Sequence, residues 1–162
     1  MGDFAEVKVS GLKELNQALK QLPDRVAKNV LRGATSAGAA VIRKEARIKA
    51  PVYTGSVAEG HPPPGTLRRA IYQKQIAELS GLLKQVFYVG VRRGKGQHDK
   101  KGRTLDAWYW RFVEFGTAKM SAIPFLRPAF EAKKQEAVDA IKNYLAERIP
   151  REVEKLPKGP KV

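Results

Sequence analysis

The sequence predicts an α+β fold, with a small antiparallel β-sheet packed against a long central helix and a C-terminal helix. Three observations carry that prediction. Apolar residues recur at three- and four-residue spacing over two long stretches, one between residues 25 and 49 and one running up to residue 149. Between them, two β-prone segments flank a Ser-Gly turn. Finally, residues 108–130, WYWRFVEFGTAKMSAIPFLRPAF, hold both tryptophans, four of the six phenylalanines and one of the five tyrosines. Aromatics this dense are core or interface material, since each can bury ~150–250 Å². The segment contains no nucleophile pair and no metal cage, so the chain reads first as a part that assembles.

The elements follow in order. Glu6-Val7-Lys8-Val9 alternates as a short strand ended by Ser10-Gly11. Leu12, Leu15, Leu19 and Leu22 then mark a first helix stopped by Pro23, after which Asp24 is placed to cap the next. From Arg25 to Lys49 no proline interrupts, and Val26, Val30, Ala34, Ala37, Val41 and Ile48 trace one helical stripe. A helix of that length spans about 37 Å. Its middle, residues 33–40, is built of small side chains; Gly33 and Gly38 cost a helix up to ~1 kcal/mol each, so a close neighbour must compensate. That neighbour is either another part of the same chain or a second subunit.

Ala50-Pro51 ends the helix, and a Pro, Gly and Ser loop with three consecutive prolines at 62–64 follows. Leu67 to Ile76 and Leu82 to Val91 read as the two strands of a hairpin turned at 78–81. Residues 92–106, RRGKGQHDKKGRTLD, read as a flexible basic loop. Residues 108–115 re-enter as a short helix, Gly116-Thr117 turns the chain, and Pro128 suits the first turn of the last helix. Phe130, Val138, Ile141, Leu145 and Ile149 line its buried face; Pro150 ends it. The expectation is one domain over residues 1–149 and a disordered tail over 150–162.

Thirty-one Lys and Arg against sixteen Asp and Glu give a formal charge of +15, an excess suited to a negative partner. No run approaches the ~20 apolar residues of a membrane span. The N-terminal residues lack the apolar stretch of a secretory signal, and a reducing cytoplasm is the expected place of folding. Cysteine is absent, which excludes disulfides and thiolate chemistry in this chain.

Candidate chemistry is sparse. His61 and His98 stand in loops without an acidic partner at a telling spacing. Glu114 lies among aromatics, and Arg111 three residues earlier offers a structural pairing in place of acid–base work. Residues 90–96 imitate a phosphate loop but hold three residues, not four, between glycines, and Gly96 follows Lys95 where Ser or Thr is needed. The reading is of a non-enzymatic protein with no catalytic residue, no cofactor and no metal. Arg92, Arg93, Lys95, Lys100, Lys101 and Arg103 form the candidate DNA-facing or partner-facing basic set, needing only phosphate-backbone contact to act. A stand-alone basic DNA-binding protein is the alternative reading.

With these residues on view, the chain resembles the neck or tail-completion family of long-tailed double-stranded DNA phages. The likeness runs over roughly residues 6–149: VKVSGLKELNQAL at the start, KAPVYTG then GTLRRAI after the long helix, and YWRFVEFGTAKMSAIPFLRPAF as the most specific part. SVAEGHPPP is an insertion relative to that pattern, and the basic loop is a variable part. The resemblance implies a virion structural protein, from a phage or prophage, assembled in the bacterial cytoplasm into a ring, often of six, at the head–tail junction around the DNA channel. Its expected partners are itself, other neck, connector or tail proteins and the channel DNA, with no membrane. A closed ring needs two patches that meet head to tail. Trp108, Trp110, Phe112, Phe115, Pro124, Phe125 and Leu126 are the candidate subunit interface.

Overall fold

Pro23 fixes the first junction of the chain: its carbonyl accepts the amides of Val26 and Ala27 at 2.8 and 3.0 Å, so one helix stops before it and the next starts after it. The computed structural model describes residues 12–20, 22–54, 62–94, 98, 100 and 105–156. Helix α1 spans Leu12–Lys20 and α2 spans Asp24–Lys49, with Asp24 in the first turn and Arg47 and Lys49 in the last, as the helix dipole favours. The strand expected over residues 6–9 lies outside the described residues. A short helix α3 (Thr66–Ala70) leads into strand β1 (Ile71–Gln75), which pairs antiparallel with β2 (Phe87–Val91). Helix α4 (Trp110–Phe115) and the long α5 (Leu126–Glu154) complete the order. Among the described residues no helix is long and apolar enough to cross a membrane.

The hairpin is shorter than the sequence suggests. Leu67–Ala70, the first part of the expected strand over Leu67–Ile76, belongs instead to a helical turn, Thr66–Ala70: the Thr66 hydroxyl and amide both donate to the Pro63 carbonyl, at 2.7 and 3.1 Å, and Arg69 N donates to Gly65 O at 3.0 Å. Leu, Arg and Ala favour that turn, and the strand begins at the β-branched Ile71. Before β2, Ser80 occupies the positions a ladder would use, accepting from Val86 N at 3.0 Å and donating to Ile76 O at 2.7 Å.

The described chain forms two compact units. In the first (Met1–Ala40, Gln75–Tyr88 and Lys134–Val162), Leu19 and Leu22 meet Ala27, Val30 and Ala34 of α2 and Leu145 and Ile149 of α5. The small residues of α2 serve this intramolecular contact. A Cβ on Gly38 would stand 2.8 Å from the Ile141 side chain and 3.0 Å from the Ala137 carbonyl, and one on Gly33 would overlap the Tyr144 ring. Close helix approach therefore offsets the helical cost of both glycines. Helix α5 does not end at Pro150 but passes through it to Glu154. Val153 and Leu156 beyond the proline pack on the same cluster, which gives the chain reason to stay helical. Arg148–Glu152 at 2.9 Å and Arg151–Glu147 at 2.7 Å span the proline as well; the second pair is exposed and contributes little.

In the second unit (Val41–Lys74 and Val89–Lys133), Ile71 and Val91 of the two strands bury against Ala46 near the end of α2, Ala50 just after it, and Phe125 and Ala129 at the start of α5. The Arg47 guanidinium reaches the Ile71 carbonyl through two donors, at 2.7 and 3.1 Å. Two positions of the expected stripes are exposed instead. Ile48 lies 200° around the helix from buried Ala46 and is 63% exposed. Phe130 is 47% exposed, because Phe125 and Ala129, one turn apart, take the buried face.

Candidate assembly surface

The aromatic segment belongs wholly to the second unit, and Glu114 organises it. This carboxylate sits on α4, is buried, and accepts three backbone amides: Phe125 N at 2.8 Å and Leu126 N at 3.0 Å on one oxygen, and Arg127 N at 3.1 Å on the other. A helix leaves its first amides without intrahelical acceptors. Here Glu114 takes three of them, and the next residue, Pro128, has no amide to satisfy. A negative charge at the N-terminus also suits the α5 dipole. The expected pairing with Arg111 gives way to this arrangement, and the Arg111 guanidinium lies 5.5 Å over the Trp110 ring.

Between the two helices the turn is closed by backbone contacts. Thr117 and Met120 exchange amide–carbonyl bonds at 2.8 and 3.2 Å, and Ile123 N donates to Val113 O at 2.8 Å. Gly116 adopts φ 74°, where a side chain is strained, and an added Cβ would meet Ala122 N and Met120 O at 2.9 Å. The Glu-Phe-Gly-Thr and Pro-Phe-Leu-Arg-Pro runs are thus two halves of one clasp: acid, hinge and capped helix.

The clasp sorts the predicted interface residues. Phe125 is fully buried and anchors the core; Trp110 and Leu126 are half-buried and pack against it. Trp108, Phe112, Phe115 and Pro124 remain outside, with Phe115 75% exposed. Trp108 meets Tyr109 and Phe112 edge to face, with ring centroids 6.0 and 5.9 Å apart. Met120 and Ile123, not picked out from the sequence, are exposed too and line a cleft of about 680 Å³ with Trp108, Tyr53 and Pro63. Burial pushes the Tyr109 phenol up from its ordinary value, partly offset by a hydrogen bond with the Leu67 backbone and by the nearby Arg69 charge.

The predicted basic set divides. Arg92 lies over the Tyr72 ring at 5.0 Å, and Arg93 pairs with buried Asp106 at 3.4 Å, so these two cations are held by the fold. Lys100 is exposed; Lys95, Lys101 and Arg103 lie outside the described residues, as does His61. His98 is exposed. Among the described residues no group of His, Cys, Asp and Glu is arranged to hold a metal.

Over residues 13–116 the sequence matches the profile of a family, HK97-gp10_like, described as "Bacteriophage HK97-gp10, putative tail-component". Neither a curated protein nor a solved structure gives a significant match.

Proposed function

Because the chain belongs to the HK97 gp10-like family of phage tail components, we propose that it is a non-enzymatic neck or tail-completion subunit that closes into a ring at the head–tail junction, around the channel for the DNA. The carrying observation is the display of Trp108, Phe112, Phe115, Pro124, Met120 and Ile123 at the surface of a clasp that Glu114 ties to the start of α5 through three backbone amides. Exposed rings and aliphatics on a rigid support are what a subunit contact needs, since little ordering entropy is lost when they are covered. A stable contact buries ~800 Å² per partner, and this group of large side chains is a suitable nucleus for one.

Glu114 supports a structural reading over a catalytic one, as both its oxygens are engaged by amides of the same chain. The partners in this reading are identical copies and other neck, connector or tail proteins of the virion, assembled in the host cytoplasm. Lys100 and the neighbouring cations of the 92–106 segment are then candidates to face the channel DNA or an adjoining protein. The test is electron microscopy of tails lacking this chain, before and after adding it. Rings at the tail end and restored head joining are expected. Tails that stay bare with the wild-type chain would refute the proposal, and Phe115→Asp should abolish ring closure without loss of helical content.

A further inference from the structure

The first unit carries a charged surface of its own. Arg25, Lys28 and Arg32 of α2 are all exposed. At 100° per residue they fall within a 60° arc, and Asn29 widens it to 100°. Ala27, Val30 and Ala34, the buried residues of the same turns, occupy the opposite side of the helix. Among the described residues no carboxylate pairs with any of the three cations. On α5 the pattern is reversed: Arg148 and Arg151 each have a glutamate one turn away, and Lys155 lies 3.2 Å from Glu152. Lys13 and Lys20 of α1 are exposed as well, so residues 12–33 hold five basic side chains against Glu14 and Asp24.

We propose that the Arg25–Lys28–Arg32 face of α2 is a sequence-independent binding surface for the phosphate backbone of double-stranded DNA. Three features favour DNA over an acidic protein. The face offers flexible cations and one amide, with no aromatic or aliphatic anchor of the kind that centres protein interfaces, where Lys is depleted. Its cations are spared the intramolecular pairing seen on α5, leaving their full charge to an outside partner. And from Arg25 to Arg32 it covers about 10.5 Å, a length over which duplex DNA presents about six charges. The inference does not rest on ring formation.

The experiment measures binding of the full chain to a random-sequence duplex across salt concentration. Each neutralised phosphate contributes a log–log slope of about 0.9, so three contacts predict a slope at least about 2.7 steeper than in the variant lacking them, and roughly 40-fold weaker binding through that face between 50 and 200 mM salt. Arg25→Gln, Lys28→Gln and Arg32→Gln together should lower the slope by about that amount. Glutamine keeps helix propensity, and an unchanged circular dichroism melt would show the fold intact. The control removes the same charge elsewhere, through Arg148→Gln, Arg151→Gln and Lys155→Gln, and should change the slope little. Equal losses in the two variants, no loss in the first, or wild-type binding to polyglutamate but not to the duplex would each overturn the proposal. Ring closure on tails, scored separately, should survive the α2 substitutions.

Discussion

Replacing Glu114 tests the clasp at its centre. Glu114→Ala removes one carboxylate and strands three amides, those of Phe125, Leu126 and Arg127. A hydrogen bond to a charged group contributes ~1.5–3 kcal/mol, and a buried amide left without a partner costs ~1–3 kcal/mol. Phe125 N is buried while the other two are partly reached by water, so the three do not add in full. The expected loss is about 3–5 kcal/mol, larger than most single substitutions produce. For a chain of this length that corresponds to a fall in Tm of about 6–20 °C. Glu114→Gln keeps one carbonyl oxygen but turns an NH₂ towards a donor, and should lose about 2 kcal/mol. Urea unfolding followed by circular dichroism supplies the numbers. Hydrogen exchange adds a local readout, with the amides of residues 125–127 losing protection ahead of those in the middle of α5. A loss below about 1 kcal/mol for Glu114→Ala would refute the reasoning, because it would mean that the start of α5 needs no acceptor from α4.

Leu145→Ala should cost about 2–5 kcal/mol from the core of the first unit, whereas Phe130→Ala, at an exposed position, should cost about 1 kcal/mol or less; chemical denaturation separates the two. Gly38→Val should destabilise by at least about 2 kcal/mol in the same assay, since its side chain would meet the Ala137 carbonyl as well as the movable Ile141. For Tyr109 the folded phenol holds its proton to higher pH than an ordinary tyrosine, which titrates at about 10. The stability it contributes is therefore complete below about pH 10 and is lost as pH rises through the raised folded value. Tyr109→Phe should flatten that alkaline loss in urea midpoints compared at about pH 9 and pH 11.

How far the fold could be read from residues alone depended on whether a short-range rule decided each element. Pro23 and the unbroken run to Lys49 delimit α2 by local chemistry, and the structure follows them. Pro150 obeys no such rule, because Val153 and Leu156 have tertiary contacts that outweigh one lost helical bond. Leu67–Ala70 reads as extended in sequence because a strand follows; its helical turn depends on the Pro63 carbonyl, a contact that spacing alone does not suggest. The density of aromatics in residues 108–130 marks them as core or interface material, but their division into buried Phe125 and exposed Phe115 depends on where Glu114 bonds. A signal for that bond is present in the sequence: an acid just before a Gly-Thr turn, and a helix whose third residue is proline. The Arg25, Lys28 and Arg32 face does not stand out in a chain that is basic throughout, and only the structure shows which cations have acids beside them.

The central claim, that the exposed rings of the clasp are covered by neighbouring subunits, is tested most directly by thiol protection at Phe115. The chain has no cysteine, so Phe115→Cys introduces a single reactive site. Its labelling by a maleimide is measured on the free protein and on the protein incorporated into tails, with modification of this chain read by mass spectrometry. Rapid labelling of the free chain and strong protection in the particle is the predicted result; equal labelling in both, in particles that contain the chain, would contradict the account.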